Sequence, residues 1–118
     1  MTQEQKDLLL KDLCARLPYG TIVYAQNAVD WYDSEICTQV ISDVINEDYI
    51  VKPYLFPLSS MTEEQKKEYA HLLTYTSNID IIQITGESIY DWLNKNMFDW
   101  RGLIPKGLAK DATGLNIY

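Results

Sequence analysis

Apolar positions recur at helical spacing near the start of the chain and again in its second half, with β-branched runs between them. Leu9, Leu13 and Leu17, with Leu10 and Cys14 beside them, mark one face of a helix. Thr2 and Gln5 stand at capping-box spacing before it, and Pro18-Tyr19-Gly20 ends it. Thr21-Ile22-Val23-Tyr24-Ala25-Gln26 is β-branched and aromatic, which predicts a strand. Residues 27–35, polar around Trp31 and Tyr32, predict a wide hairpin loop. Residues 36–45 are rich in Ile and Val and alternate in part, which predicts a second strand bent near Ser42-Asp43. After the turn Asn46-Glu47-Asp48, Tyr49-Ile50-Val51 opens a third strand that reaches Pro53. A proline lacks a ladder donor, so this strand is expected at an edge or at its end.

Residues 52–60 contain Pro53 and Pro57, each of which fixes its own φ and disfavours helix at the residue before it, so the segment reads as extended. Thr62 and Gln65 then repeat the capping box, Glu63 and Glu64 suit the helix dipole, and Tyr69, Leu72 and Leu73 form the stripe of a second helix. Residues 1–6 and 61–66 share a spelling but lead into different sequences, so they are one capping solution used twice rather than a repeat. Thr76-Ser77-Asn78 breaks the helix, and the isoleucines of residues 79–84 predict a further short strand. Thr85-Gly86-Glu87-Ser88 caps a third helix carrying Ile89, Trp92, Leu93 and Met97. Residues 101–107 predict a loop whose apolar side chains pack back on the body, and the last residues fray unless Leu115, Ile117 and Tyr118 dock. The expected fold is α+β: a small antiparallel sheet of three to four strands, able to curl like a barrel, with three helices in the order α-β-β-β-α-β-α.

Composition narrows this picture. At 118 residues, 47% hydrophobic and 23% charged, residues 1–118 suit a single domain that buries a core without disulfide or metal. The start lacks a basic flank, Leu8-Leu9-Leu10 is too short for a signal sequence, and no apolar run nears the roughly 20 residues that span a bilayer. A soluble, cytoplasmic protein without membrane association is therefore expected. The net charge of −7 is uneven: no Lys or Arg falls between Arg16 and Lys52, where Asp30, Asp33, Glu35, Asp43, Glu47 and Asp48 lie. Lys95, Arg101, Lys106 and Lys110 make the C-terminal segment mildly basic. The acidic stretch repels phosphate, which disfavours nucleic acid as a partner.

Candidate chemistry is sparse. Cys14 and Cys37 match neither a C-x-x-C pair nor a zinc knuckle and are expected as buried free thiols. His71 is the one histidine, on an exposed-reading helix, so no triad or zinc set assembles around it. Gly102 and Gly107 have the outer spacing of a phosphate loop, but the Lys-Ser/Thr is missing and Pro105 removes an N–H. Asp30, Asp33 and Glu35 lack the spacing and glycine of a calcium loop. No catalytic, cofactor or metal residues are expected. What remains is aromatic: nine Tyr, three Trp and two Phe, of which Trp31, Tyr32, Tyr54 and Phe56 fall in loops or extended chain. Such side chains serve either as partner-binding anchors or as lids on a small core.

Two blocks, Lys52-Pro53-Tyr54-Leu55 continuing through Pro57-Leu58-Ser59-Ser60-Met61-Thr62-Glu63-Glu64, and Asp91-Trp92-Leu93-Asn94 with Phe98-Asp99-Trp100-Arg101-Gly102-Leu103-Ile104, carry a family look, together with Leu17-Pro18-Tyr19-Gly20. In these blocks the chain resembles a family of short uncharacterised proteins encoded by gut Bacteroidales and by their phages and prophages. The family often has an arginine where this chain has Phe56, and histidines where it has Asn96 and Met97. The resemblance implies a bacterial cytoplasm or a mobile element and no assigned activity. The expected function is a non-enzymatic interaction module that binds an unidentified protein partner. The alternatives are a nucleic-acid-directed accessory factor, acting through the basic C-terminal segment or by acidic mimicry of DNA, and a small enzyme whose site the sequence does not reveal.

Overall fold

The computed structural model describes residues 1–75 and 89–118; the strand expected over 79–84 and the caps expected at 85–88 lie outside the described residues. Helix α1 (Gln3–Arg16) opens on the expected capping box, with the Thr2 hydroxyl accepting from the Gln5 N–H and the Gln5 amide oxygen accepting from the Thr2 N–H. A 3-10 turn at Leu17–Tyr19 ends it, and Gly20 takes the left-handed conformation at φ 70°. A Cβ on Gly20 would meet only the movable Glu35 carboxylate, at 3.0 Å, so it is the left-handed φ that calls for glycine here. Helix α3 (Glu63–Tyr75) uses the second capping box in the same way, through Thr62 and Gln65. Helix α4 (Ile89–Lys95) buries Ile89, Trp92 and Leu93 as expected, and Met97 is buried just beyond it.

The middle of the chain departs from expectation. Residues 27–35 are not a wide loop. Strand β1 (Ile22–Gln26) turns tightly, and Trp31–Glu35 forms strand β2, antiparallel to it. Asn27 makes that turn possible, because its side-chain oxygen accepts from the Val29 and Asp30 N–H groups while its own N–H reaches Asp30 O. Residues 36–45 are not a strand either: Thr38–Asn46 is helix α2. Ile36, Val40 and Val44 recur every fourth residue and are 6%, 2% and 2% exposed, whereas Ile45 is 52% exposed. β-branched residues suit strands, but here that helical spacing and burial against α1 outweigh propensity.

Strand β3 (Ile50–Leu55) pairs antiparallel with β1, and β4 (Lys110–Asp111), where no strand was expected, pairs parallel with β3. The sheet is therefore mixed and open, with strand order β2-β1-β3-β4. The described order is α-β-β-α-β-α-α-β, with four helices among the described residues against the three expected. Pro53 sits inside the sheet rather than on an edge strand. Ladder bonds alternate along an antiparallel pair. Asn27 N–Asp30 O and Ile36 N–Thr21 O fix the alternation on β1. Counting through the β1–β3 register places Val23↔Pro53 at a position without ladder bonds, so the proline withholds nothing from β1.

Helices α1 and α2 cover one face of the sheet. Leu9, Leu13, Val40 and Val44 close over Val23, Ala25 and Val51 there. Two further clusters extend the core, one around Leu55, Met97, Leu103 and Leu108, the other around Met61, Trp92, Leu93 and Phe98. Phe56 packs against both, and its backbone bridges the chain at Met97 and Asp99.

A charged group lies inside this frame. Asp12 and Arg16 are each 0% exposed and pair at 2.9 Å, and Arg101 reaches the second Asp12 oxygen at 2.8 Å. Arg16 also donates to Phe98 O at 2.7 Å, while the Arg101 guanidinium lies over the Trp100 ring. The Asp99 carboxylate accepts from the Leu103 and Ile104 N–H groups, and Trp100 Nε1 donates to Asn94. The residues of the second sequence block thus fasten α1, α4 and the loop after it. Cys14 and Cys37 are both exposed, against the expected burial: Cys14 falls outside the Leu9/Leu13 stripe, and Cys37 is the N-cap position of α2. No helix among the described residues is long and apolar enough to cross a membrane.

Candidate functional site

Strand alternation sends Val23 and Ala25 toward the helices and Ile22, Tyr24 and Gln26 to the opposite face. Cross-strand register adds Trp31, Asp33 and Glu35 from β2, Ile50, Lys52 and Tyr54 from β3, and Lys110 from β4 to that second face. None of Trp31, Tyr24, Ile50 or Lys52 belongs to a core cluster, and no helix packs on this face among the described residues.

The centre of the face is aromatic and organised. The Trp31 ring stacks on Tyr24 with centroids 5.8 Å apart and planes 27° from parallel, and Lys110 Nζ lies 3.8 Å from the centroid of the Tyr24 ring. Trp31 is 59% exposed and Ile50 60% exposed. The Tyr24 hydroxyl donates to Gln26 Oε1, which fixes the ring beneath Trp31. Beside the stack, the Tyr54 hydroxyl donates to Asp33 Oδ1 at 2.8 Å. Burial and the Asp33 carboxylate push that hydroxyl up to about 12, so it stays protonated as a donor.

At one border the ladder between β1 and β3 is completed by a side chain. The Ile22↔Tyr54 position is next in register, but the Tyr118 hydroxyl stands between the strands, accepting from Ile22 N at 2.9 Å and donating to Tyr54 O at 2.7 Å. Burial pushes this hydroxyl up to about 12 as well. The Tyr118 ring lies 5.8 Å from Phe56.

The four aromatic residues singled out in the sequence therefore go to different places. Trp31 and Tyr32 are consecutive on a strand and point to opposite faces: Trp31 outward, Tyr32 toward the core, edge-on to Tyr49. Tyr54 is 7% exposed and Phe56 is half-buried between two core clusters. Only Trp31 is left broadly accessible. Sequence reasoning passed over Tyr24 and Lys110. The signal for Tyr24 was the alternation of small Val23 and Ala25 with a large Tyr24; Lys110 required the long-range β3–β4 pairing.

Elsewhere the surface offers less chemistry. A cleft of ≈ 460 Å³ between α1, α2, β3 and the loop at Gly107 has Leu9, Val44, Val51 and Leu108 in its lining with Lys52 and Lys106. Among the described residues no three His, Cys, Asp or Glu side chains gather as metal ligands. Arg101, expected in a basic patch, is held by Asp12 and Trp100. Comparison of the chain with protein-family models, curated proteins and solved structures finds no match.

Proposed function

We propose that this chain is a non-enzymatic interaction module that binds a protein partner on the open face of its sheet. The observation that carries this reading is the Tyr24–Trp31 stack, with Trp31 exposed over a half-buried Tyr24, on a sheet face that no described helix covers and backed by Lys110. Exposed Trp and Tyr held rigid by neighbours are the side chains that dominate binding energy at interfaces, since they bury large area at small entropic cost. Trp31 and Tyr24 make the contact, and Tyr32, Tyr54 and Phe56 support the sheet from beneath and beside. The resemblance in the sequence blocks supports a bacterial cytoplasm or a mobile element as its setting.

The experiment is capture of the partner from a lysate of a bacterium that encodes the chain, with Trp31→Ala and Ile45→Ala as paired variants. Ile45 is exposed on α2, away from the open face. The reading expects Trp31→Ala to lose the partner and Ile45→Ala to keep it; equal retention by both overturns it. An aromatic pair with lysines on an open sheet also suits base stacking, the second reading. Asp30, Asp33 and Glu35, at and along the same strand, oppose phosphate there. Salt-dependent binding to single-stranded DNA or RNA, lost in Trp31→Ala, would favour that reading over a protein partner.

A further inference from the structure

We infer that the partner is engaged through β-strand addition: an extended, basic segment pairs antiparallel with the outer edge of β2, which no described strand pairs with. This rests on the open-face reading and names its partner chemistry. The ladder alternation that fixes Pro53 also fixes this edge. Asp30, Tyr32, Ser34 and Ile36 turn their backbone groups toward β1, as the Asn27–Asp30 and Thr21–Ile36 bonds show. Trp31, Asp33 and Glu35 therefore turn theirs outward. The two ends of this row are closed by the chain itself: the Trp31 N–H donates to Asp30 Oδ1 at 2.8 Å, and Glu35 O accepts from Ser34 Oγ at 3.0 Å. Trp31 O, Asp33 N–H, Asp33 O and Glu35 N–H take no partner among the described residues. They form one full antiparallel pairing unit with a flanking bond on either side.

Side-chain direction then selects the guest. A residue opposite Asp33 or Glu35 shares their face, with Cβ atoms about 5 Å apart, and opposite charges there are favoured. A residue opposite Trp31 meets an exposed indole. The matching segment, read from its N-terminus, is basic, any, basic, any, apolar. A second copy of the chain is disfavoured on this edge, because antiparallel self-pairing about Asp33 sets carboxylate against carboxylate. The absence of any Lys or Arg between Arg16 and Lys52 keeps the whole β1–β2 hairpin complementary to such a guest.

The test uses the peptide Thr-Lys-Thr-Lys-Thr-Val-Thr, blocked at both ends, titrated into the intact protein and followed by backbone amide NMR. The expected result is saturable shifts at Asp33 and Glu35, weakened by salt. Methylating the backbone nitrogen of the central lysine, which opposes Asp33, should weaken binding about tenfold or more. Glu35→Gln removes charge and keeps the outward N–H, so it should cost about threefold; Glu35→Pro removes that N–H without touching the β1 ladder and should cost about tenfold or more. Equal binding of the methylated peptide, equal effects of the two Glu35 variants, or no binding of the parent peptide at millimolar concentration each overturns edge pairing. If the captured protein partner is lost in Trp31→Ala but unaffected by Glu35→Pro, the open face stands and the edge does not. If both variants retain it, the underlying reading fails too.

Discussion

At the scale of single residues, two arrangements carry more than their sequence positions suggest. Asp12 and Arg16 look like an ordinary surface pair at helical spacing, yet both are fully buried and Arg101 closes the group. Removing one member of a buried ion pair strands the other, at a cost of about 3–5 kcal/mol, while replacing the pair by apolar side chains costs far less. Asp12→Ala should therefore destabilise by about 3–5 kcal/mol in urea unfolding, and the double variant Asp12→Leu/Arg16→Met should lose less than the single one. Tyr118 is the other arrangement. Tyr118→Phe removes the hydroxyl that links Ile22 to Tyr54, for an expected loss of about 0.5–1.5 kcal/mol. Tyr54 and Tyr118 are both pushed up to about 12 by burial, while an unfolded tyrosine ionises near about 10. The unfolded chain then binds fewer protons than the folded one between those values. Stability from these two groups is full below about pH 10 and falls as pH rises toward about 12. Thermal melts across that range should show the decline, and Tyr118→Phe should flatten it.

At the scale of elements, what could be read depended on how local the deciding signal was. Both capping boxes, the Pro18–Gly20 stop and the stripes of α1 and α4 lie within a few residues and were legible. Residues 36–45 were not, because Ile36, Val40 and Val44 fit a partly alternating strand and a helical stripe alike, and burial against α1 settles it. Reading residues 36–45 as the strand that pairs with β1 leaves residues 27–35 as its loop, whereas Trp31–Glu35 takes that pairing. Helix α2 makes its own prediction: Val44→Ala should cost about 2 kcal/mol through lost burial, and Ile45→Ala should stay within about 0.5 kcal/mol. Backbone carbon chemical shifts should read helix across α2 and strand across β2. The placement of β4 came from a pairing across more than fifty residues, which no local pattern encodes.

At the scale of the whole molecule, the layers are uneven. Helices α1 and α2 cover one side of the sheet, and the other displays Trp31 and Tyr24 with Lys110. The candidate site was legible only as far as Trp31; its partner in the stack and the separation from Tyr32 come from strand register. Trp31 is 59% exposed but stacks on Tyr24, so its loss should cost about 0.5–1.5 kcal/mol of stability, small enough to leave the protein folded while binding is measured. The most direct measurement is calorimetric titration of the captured partner against wild type and Trp31→Ala at matched melting temperature. The open-face account predicts a loss in affinity of about tenfold or more for Trp31→Ala. Unchanged affinity in a normally folded Trp31→Ala protein would contradict it.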